Sequence, residues 1–214
     1  MSRGLGDVYK RQIPGAAEKV NYPFGYGLSY TSFAIRNCCG RLEKAEDGTQ
    51  IVVEASVTNV GKLAGKEVVQ LYYSATQGRL GKPARALGAF AKTRCLQPGE
   101  TQQVTLRLAA DSMASYDDTG KIAKSAYVME AGEYSFYLGN SVRNTEKVSF
   151  VYKEEADRVV LVLKERVAPR QLAKRMLADG SFEELPVQAE CKAERFPGFV
   201  EGNPPHKGHW EGDV

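Results

Sequence analysis

The stretch from Gln50 to Asn59 reads QIVVEASVTN, and its hydrophobic pattern decides the fold class. Every second residue is aliphatic, namely Ile51, Val53, Ala55 and Val57. A period of two places alternate side chains on opposite faces of a strand, so one face of this segment faces a core. The segment therefore predicts a half-buried β-strand.

Similar short runs follow along the chain and are separated by glycine, proline and asparagine. They predict strands within Lys66–Ser74, Ala86–Cys95, Thr101–Leu108, Glu133–Gly139 and Glu146–Tyr152. The side chains expected to point inward are Val69, Leu71, Tyr73, Val104, Leu106, Leu108, Tyr134, Phe136 and Leu138. Short strands with this punctuation and almost no helical period are typical of an all-β, immunoglobulin-like antiparallel β-sandwich.

The sequence changes character on both sides of this region. We divide the chain into a leader at 1–21, a β-domain at 22–152, a linker at 153–188 and an irregular tail at 189–214. The leader is interpreted as partly non-native, because Asp7–Gln12 resembles a translated sequencing-adapter remnant.

The linker and the tail differ in what they predict. Val159–Leu163 predicts one more strand. Ala168–Ala178 predicts a short helix, with Pro169 in its first turn and Leu172, Met176 and Leu177 on one side. The tail is polar, and we expect it to need a partner surface in order to become ordered.

Composition restricts the classes of partner. The chain has 214 residues, of which 29 are Lys or Arg and 26 are Asp or Glu. The resulting net charge of +3 is too small to indicate binding to nucleic acid. The longest aliphatic run, Val159–Leu163, is far shorter than the roughly 20 residues of a membrane-spanning helix. We therefore expect neither nucleic acid nor a membrane as a partner.

The four cysteines are Cys38, Cys39, Cys95 and Cys191. Two of them are adjacent and none shows C-x-x-C spacing, which favours a reducing compartment over a disulfide framework. A cytoplasmic location is therefore favoured over secretion. The vicinal pair is interpreted as a feature of a strand edge, with a redox role as the alternative.

Both histidines, His206 and His209, lie in the tail, so the β-domain offers no histidine for a catalytic triad. Together with Cys191 they are three candidate zinc ligands, but their spacing is not that of a zinc site. We expect no metal and no cofactor.

Two further motifs each have a functional interpretation and a purely structural one. Gly25 and Gly27 in FGYGLSY suggest a phosphate loop, but the third glycine or Lys-Ser/Thr pair is missing, which favours a tight backbone turn. Asp111, Asp117 and Asp118 suggest a cation site, but the EF-hand spacing is absent. A turn with solvated carboxylates is the favoured interpretation.

A local basic cluster surrounds Lys82-Pro83 and contains Arg79, Lys82, Arg85, Lys92 and Arg94. One interpretation is a solvated loop. Another is a rim that hydrogen-bonds the hydroxyls of a polar ligand or the acidic groups of a neighbouring domain. Nucleic acid is the weakest alternative, because the cluster has no interleaved aromatic residues.

Several ordered motifs resemble the fibronectin type III-like domain of glycoside hydrolase family 3, the β-glucosidase and β-xylosidase group. They are Tyr22–Thr31 (YPFGYGLSYT) with Phe33, Val57–Gly61 (VTNVG), Gly65–Tyr73 (GKEVVQLYY), Lys82-Pro83 with Leu87, Phe90 and Lys92, Leu96–Glu100 (LQPGE), and Ala131–Tyr134 (AGEY) running to Gly139. The resemblance covers about Tyr22 to Tyr152.

The resemblance implies a non-catalytic accessory domain. The family's nucleophile is an aspartate in a Ser-Asp-Trp-type motif of a barrel, its acid/base glutamate usually lies in an α/β sandwich, and neither domain is present here. No catalytic residue can be assigned, and we expect the chain alone to be inactive. The implied partners are the missing barrel and α/β sandwich, with a glycoside or oligosaccharide at the domain boundary. The loop Thr76–Leu87, with Arg79, Lys82 and Arg85, is the candidate rim of that sugar site.

The region Arg166–Pro186 resembles the linker of family members with a rearranged domain order, in which the barrel follows. This implies that the chain is an internal fragment of a bacterial enzyme and that the start of the parent protein is missing. Two alternatives remain open: a carbohydrate-binding module that uses Tyr72, Tyr73 and Tyr137, and a protein-interaction β-sandwich without enzymatic lineage.

Overall fold

The structure is a computed structural model that describes residues 21–46, 48–164, 174–177, 179 and 181–184. The described strands are β1 (Phe33–Ala45), β2 (Gly48–Asn59), β3 (Val68–Ser74), β4 (Ala86–Lys92), β5 (Thr101–Ala109), β6 (Ser115–Asp117), β7 (Ala126–Met129), β8 (Gly132–Gly139), β9 (Thr145–Glu154), β10 (Arg158–Val162), β11 (Lys174–Met176) and β12 (Phe182–Glu184). A short 3-10 helix, Ala110–Met113, connects β5 to β6.

Seven of these strands form the predicted antiparallel β-sandwich. One sheet has the strand order β1-β2-β5 and the other has the order β4-β3-β8-β9. The buried core between the sheets contains the predicted inward residues Ile51, Val53, Ala55, Val57, Val69, Leu71, Val104, Leu106, Leu108, Tyr134, Phe136 and Leu138. The all-β fold class and the inward faces of four strands are thus confirmed.

The outer face of β2 carries an aliphatic residue that a period of two predicts to be exposed. Val52 is fully buried. Its cross-strand neighbours are Arg41 on β1 and Arg107 on β5, and both guanidinium groups bind the carboxylate of Glu43. The aliphatic stems of the two arginines flank Val52 on the outer face, and long charged side chains cover apolar surface in this way.

A smaller sheet with the strand order β10-β7-β6 lies beside the sandwich. It has its own small core, in which Leu80 packs against Ala126 and Val128. The strand predicted within Val159–Leu163 is present as β10, and Val160 on this strand packs against the main core. The predicted linker therefore contributes to the folded body through β10.

The helix predicted over Ala168–Ala178 is wrong where the structure describes it. Lys174–Met176 is strand β11, which pairs antiparallel with β12, while residues 168–173 and 178 lie outside the described residues. Asp179 stabilises the turn of this hairpin, because its carboxylate accepts bonds from the Ser181 backbone N–H (2.9 Å) and hydroxyl (2.6 Å). This turn geometry and the cross-strand Arg175–Glu183 pair outweigh the helical spacing of the apolar residues.

Candidate functional site

The loop Thr76–Leu87 is held against the domain by a buried ion pair. Lys82 Nζ lies 2.7 Å from Glu130 Oε2, and the two side chains are only 1% and 3% exposed. Lys82 also donates to the carbonyl of Thr76 (3.1 Å) and lies 5.9 Å from the centre of the Tyr134 ring. The ammonium group of Lys82 is thus bound by groups within the domain and is not exposed to solvent.

Glu130 also binds the backbone of the same loop. Its carboxylate accepts the N–H groups of Arg79 (2.6 Å) and Leu80 (3.2 Å). The loop passes so close that a Cβ atom at Gly78 would overlap Glu130 Oε1. A buried carboxylate needs such partners to offset its loss of hydration. Glu130 therefore determines the path of the loop from Gly78 to Lys82.

The other two predicted rim residues also have internal partners. Arg85 lies 4.0 Å above the Tyr137 ring and donates to the Val142 carbonyl (2.9 Å) and the Thr145 hydroxyl (2.7 Å). Arg79 forms an ion pair with Asp157, but its side chain is about half exposed. Of the three predicted rim residues, Arg79 alone presents a substantially exposed charged group.

The basic cluster therefore does not form one surface. Arg94 binds Glu100, and Lys92 lies in a separate cleft beside the N-terminal residues Gly25–Ser29. Glu130, the residue that organises the loop, was not predicted from the sequence. The one signal for it is its position directly after the apolar strand Ala126–Met129.

The prediction of solvated carboxylates is wrong for Asp117. This side chain is fully buried and accepts four backbone N–H groups at 2.7–3.0 Å. Burial by itself would raise the pKa of Asp117, but the bonds from Ile122, Ala123, Lys121 and Gly120 outweigh it and lower the pKa. Asp117 thus fixes the turn between β6 and β7.

A cavity of about 540 Å³ lies between Gln77–Gly81 and the β11–β12 hairpin, and it is lined by Lys121, Asp179 and Glu183 among other residues. Asp179 and Glu183 are two carboxyl groups beside one cavity, as in the active site of a glycosidase. In a glycosidase one of the two carboxyl groups has a raised pKa and acts as the general acid. Here the pKa of Asp179 is lowered by bonds from Ser181, and that of Glu183 by Lys121 and Arg175. Neither carboxyl group has the protonation state of a general acid at neutral pH.

The N-terminal segment Tyr22–Tyr30 lies across the outer face of β3. Phe24 packs edge-on against Tyr72 with the ring centres 6.4 Å apart, and the Phe24 carbonyl accepts the Val142 N–H (2.9 Å). Gln70 donates to the Gly25 carbonyl (2.9 Å). Tyr72 is fully buried beneath this segment, and its hydroxyl donates to Gln70 Oε1 (2.5 Å).

Gly25 has φ = 79°, and a Cβ atom there would overlap Gln70 Oε1 and the Tyr72 hydroxyl. The glycine is therefore required by a close approach as well as by a left-handed conformation. This geometry supports the tight-turn interpretation of FGYGLSY.

A polar cleft of about 600 Å³ opens beside this segment. Its walls come from Gly25–Ser29, Thr31 and Ser32 on one side and from Lys66–Val68, Gln70, Lys92 and Asn140 on the other. Around it are exposed apolar side chains, of which Leu28 (87%), Tyr30 (97%) and Phe90 (69%) are the most accessible. We call these three residues with Tyr22, Tyr26 and the cleft the N-terminal surface.

The three tyrosines of the carbohydrate-binding alternative do not form an exposed flat platform. Tyr72 is fully buried, Tyr73 packs against the core, and Tyr137 is covered by Arg85. Sugar-binding modules need exposed aromatic faces, and this geometry does not supply them from these residues.

The vicinal cysteines lie at the irregularity in β1, where the pairing with β2 shifts register between Arg36 and Cys39. Cys39 and Cys95 are free and exposed. Cys191, His206 and His209 lie outside the described residues. Among the residues with a described position, no group of three His, Cys, Asp or Glu side chains is arranged to bind a metal, and no helix is long and apolar enough to span a bilayer.

Comparison with known proteins adds a domain family. Residues 67–142 match the family described as the fibronectin type III-like domain. This range begins just before β3 and ends after β8, so it contains the loop Thr76–Leu87 and Glu130.

The chain is also similar to part of larger enzymes. It is 51% identical to β-glucosidase A of Butyrivibrio fibrisolvens over 85% of the chain and 23% of that protein, and 43% identical to a β-glucosidase of Ruminococcus albus over 86% and 19%. A β-glucosidase from Paenibacillus barengoltzii of known structure matches with a TM-score of 0.76 and 48% identity, over 88% of the chain and 22% of that protein. The chain spans about a fifth of the length of these relatives.

These alignments also concern the part of the chain after Glu154, the last residue of β9, which we call the C-terminal extension. An alignment that covers 85% of 214 residues necessarily continues beyond residue 164. The similarity to these enzymes thus includes part of the extension as well as the sandwich.

Proposed function

Because the chain carries a fibronectin type III-like domain of the kind found in family 3 β-glucosidases, we propose that it is the non-catalytic accessory part of such an enzyme. In this role it packs on the barrel and the α/β sandwich and holds them in position. The parent enzyme hydrolyses O-glycosyl bonds.

The similarity to one continuous fifth of a β-glucosidase is the observation that carries this proposal. The chemistry of the cavity beside the hairpin agrees with it. Asp179 and Glu183 have lowered pKa values and fixed partners, which suits structural carboxylates and does not suit a general acid.

The loop Thr76–Leu87 is proposed to lie at the edge of the sugar site. Lys82 and Arg85 act as positioning residues, because their charged groups bind Glu130, Val142 and Thr145 within the domain. Arg79, which is paired with Asp157 but about half exposed, is the group proposed to reach a sugar hydroxyl. A loop that is already ordered loses little entropy when it meets a ligand or a neighbouring domain.

A chimeric enzyme tests the accessory role. In it, the matching fifth of the Butyrivibrio fibrisolvens β-glucosidase A is replaced by this chain. We expect the chimera to hydrolyse an aryl β-glucoside, whereas the enzyme without that fifth loses activity or solubility. In the active chimera, Arg79→Ala should raise KM several-fold with little change in kcat, the pattern of lost ground-state binding. Arg94→Ala, which removes an exposed paired arginine elsewhere, is the matched control.

The chain by itself provides the opposite test. We expect no turnover of aryl β-glucosides by the isolated chain. Turnover that disappears when Asp179 or Glu183 is changed to alanine would show that the chain has its own catalytic site and would overturn the accessory role.

A further inference from the structure

We propose that the N-terminal surface is the docking site for a segment of the parent enzyme's catalytic part, and that this segment carries a carboxylate flanked by apolar side chains. The inference rests on the proposed function and adds the location and the chemistry of the contact.

The exposed apolar groups of this surface are held in place by the domain. Phe24 and Gly25 are bound to β3 and to Val142 through backbone and side-chain hydrogen bonds. Tyr22 and Tyr26 contact each other with ring centres 5.3 Å apart, and the Tyr26 N–H donates to the Pro23 carbonyl (3.0 Å). Tyr26 and Leu28 therefore continue from an anchored turn that lies on the sheet.

A residue from the sheet extends the same surface. Phe90 on β4 is directly opposite Gln70 on β3, and residues opposite each other in an antiparallel pair share a face. Gln70 in turn binds Gly25, so Phe90 lies on the face that the N-terminal segment crosses. Clustered apolar groups on a folded surface mark an interaction site more often than scattered ones do.

The charged residues around the cleft indicate which sign of charge the partner carries. Glu67 is already satisfied, because its carboxylate accepts the Val68 N–H (2.8 Å) and the Asn140 amide (3.2 Å). Lys66 and Lys92 are exposed at the same cleft, and neither ammonium has a carboxylate partner among the residues the structure describes. Within the described part of the chain, two cations without a carboxylate partner lie beside an acid that is already bound, and this favours an anionic group on the partner.

The occupant is assigned to the catalytic part of the enzyme by two observations. The relatives extend far beyond the region that this chain matches, so most of the parent protein is available to cover the surface. The cleft volume of about 600 Å³ lies in the range of pockets that receive small groups, which suits a protruding loop. A second copy of this chain is the competing occupant.

Zero-length cross-linking with a carbodiimide in the chimeric enzyme tests the contact, because it joins an amine only to a carboxylate that touches it. We expect mass spectrometry to find Lys66 or Lys92 joined to an Asp or Glu of the catalytic part. A cross-link between two copies of the chain, or the absence of any cross-link from these lysines in an active chimera, would overturn the inference and leave the accessory role intact.

Charge reversal in the same chimera gives an independent measurement. Lys66→Glu with Lys92→Glu should shorten the half-life of activity at elevated temperature at least tenfold, and Leu28→Asp should act in the same direction. Lys44→Glu with Lys153→Glu, which reverses two exposed lysines outside this surface, should stay within twofold. Equal effects of both pairs would contradict the docking site. A chimera that is inactive before any substitution would overturn the accessory role itself.

Discussion

The loop Thr76–Leu87 and the N-terminal surface both contain basic residues but differ in the folded protein. In the loop, the cations of Lys82, Arg85 and Arg79 all have partners within the domain. On the N-terminal surface, Lys66 and Lys92 lack carboxylate partners within the described residues, and Leu28 is exposed.

The difference shows that a run of charges does not identify a binding surface. A charged side chain that already has a buried partner stabilises the domain, and its removal affects folding first. An exposed side chain without a partner contributes little to folding and is available to another molecule. Substitutions in the two regions should therefore separate effects on stability from effects on docking.

The largest expected effect is at the loop anchor. Lys82→Met keeps the packing of the side chain but leaves Glu130 charged and buried without its cation. We expect the free energy of unfolding of the chain to fall by about 3 to 5 kcal/mol, measured by urea denaturation. The double variant Lys82→Met, Glu130→Gln should recover part of the loss. A loss below about 1 kcal/mol would show that the loop does not depend on this pair.

A slightly smaller effect is expected at Asp117, where Asp117→Ala leaves four backbone N–H groups without their acceptor. We expect a loss of about 3 kcal/mol at neutral pH. Because folding lowers the pKa of Asp117, its contribution is present above the unfolded pKa of about 4 and is lost as the pH falls through the lower folded value.

The acid side of the stability curve provides the control for this prediction. Unfolding free energies measured from pH 6 to pH 2 should fall less steeply in Asp117→Ala than in the unsubstituted chain. Glu155→Gln, which changes an exposed carboxylate, should leave the curve unchanged. If the alanine variant keeps the full acid dependence, another carboxylate is responsible for it.

Alkaline pH tests the coverage of Tyr72 by the N-terminal segment. Burial raises the pKa of Tyr72 to about 12. Since the folded pKa lies above the unfolded value near 10, this stabilisation is complete below pH 10 and is lost as the pH rises to 12, by about 2 to 3 kcal/mol. An absorbance titration of tyrosinate should show a late component that becomes smaller in Tyr72→Phe, and Tyr134, whose pKa burial also raises to about 12, should account for the part that remains. A late component of unchanged size in Tyr72→Phe would contradict the burial of Tyr72.

The smallest effect on folding is expected on the N-terminal surface. Leu28→Ala and Tyr30→Ala should change the unfolding free energy of the chain by less than about 0.5 kcal/mol, because both side chains are exposed. Phe24→Ala, which uncovers Tyr72, should cost roughly 1 to 2 kcal/mol in the same urea series. If Leu28→Ala lowers the unfolding free energy as much as Phe24→Ala does, the exposed and the packed side of this segment do not differ in their contribution to stability.

Much of the fold can be predicted from the spacing of hydrophobic residues in the sequence, because each strand of the sandwich buries one of its faces. That pattern identifies the inward residues of β2, β5 and β8 directly. It is wrong for Lys174–Met176, where apolar residues at helical spacing lie in a hairpin whose turn is stabilised by Asp179. It also does not reveal that Tyr72 is more buried than Tyr73, because the segment that covers Tyr72 is about 48 residues away in sequence.

The candidate site was less predictable than the fold. The basic loop was found and its position at the rim of a sugar site stays a proposal, but the partners of its charged groups were not predicted. Their actual partners, Glu130, Asp157 and Thr145, lie 48, 78 and 60 residues from Lys82, Arg79 and Arg85, respectively, and only folding brings them together. Nothing in the local sequence distinguishes Lys82, which is buried, from Lys92, which is exposed.

The sequence by itself determined the all-β sandwich, the faces of its main strands and the resemblance to a β-glucosidase accessory domain. These depend on local alternation and on turn residues, which short-range sterics and burial impose. The tertiary structure alone decided which charges are neutralised inside the domain and which apolar groups remain uncovered. Those properties depend on contacts between distant segments, where the free energy of a charge is set by its partner and its burial.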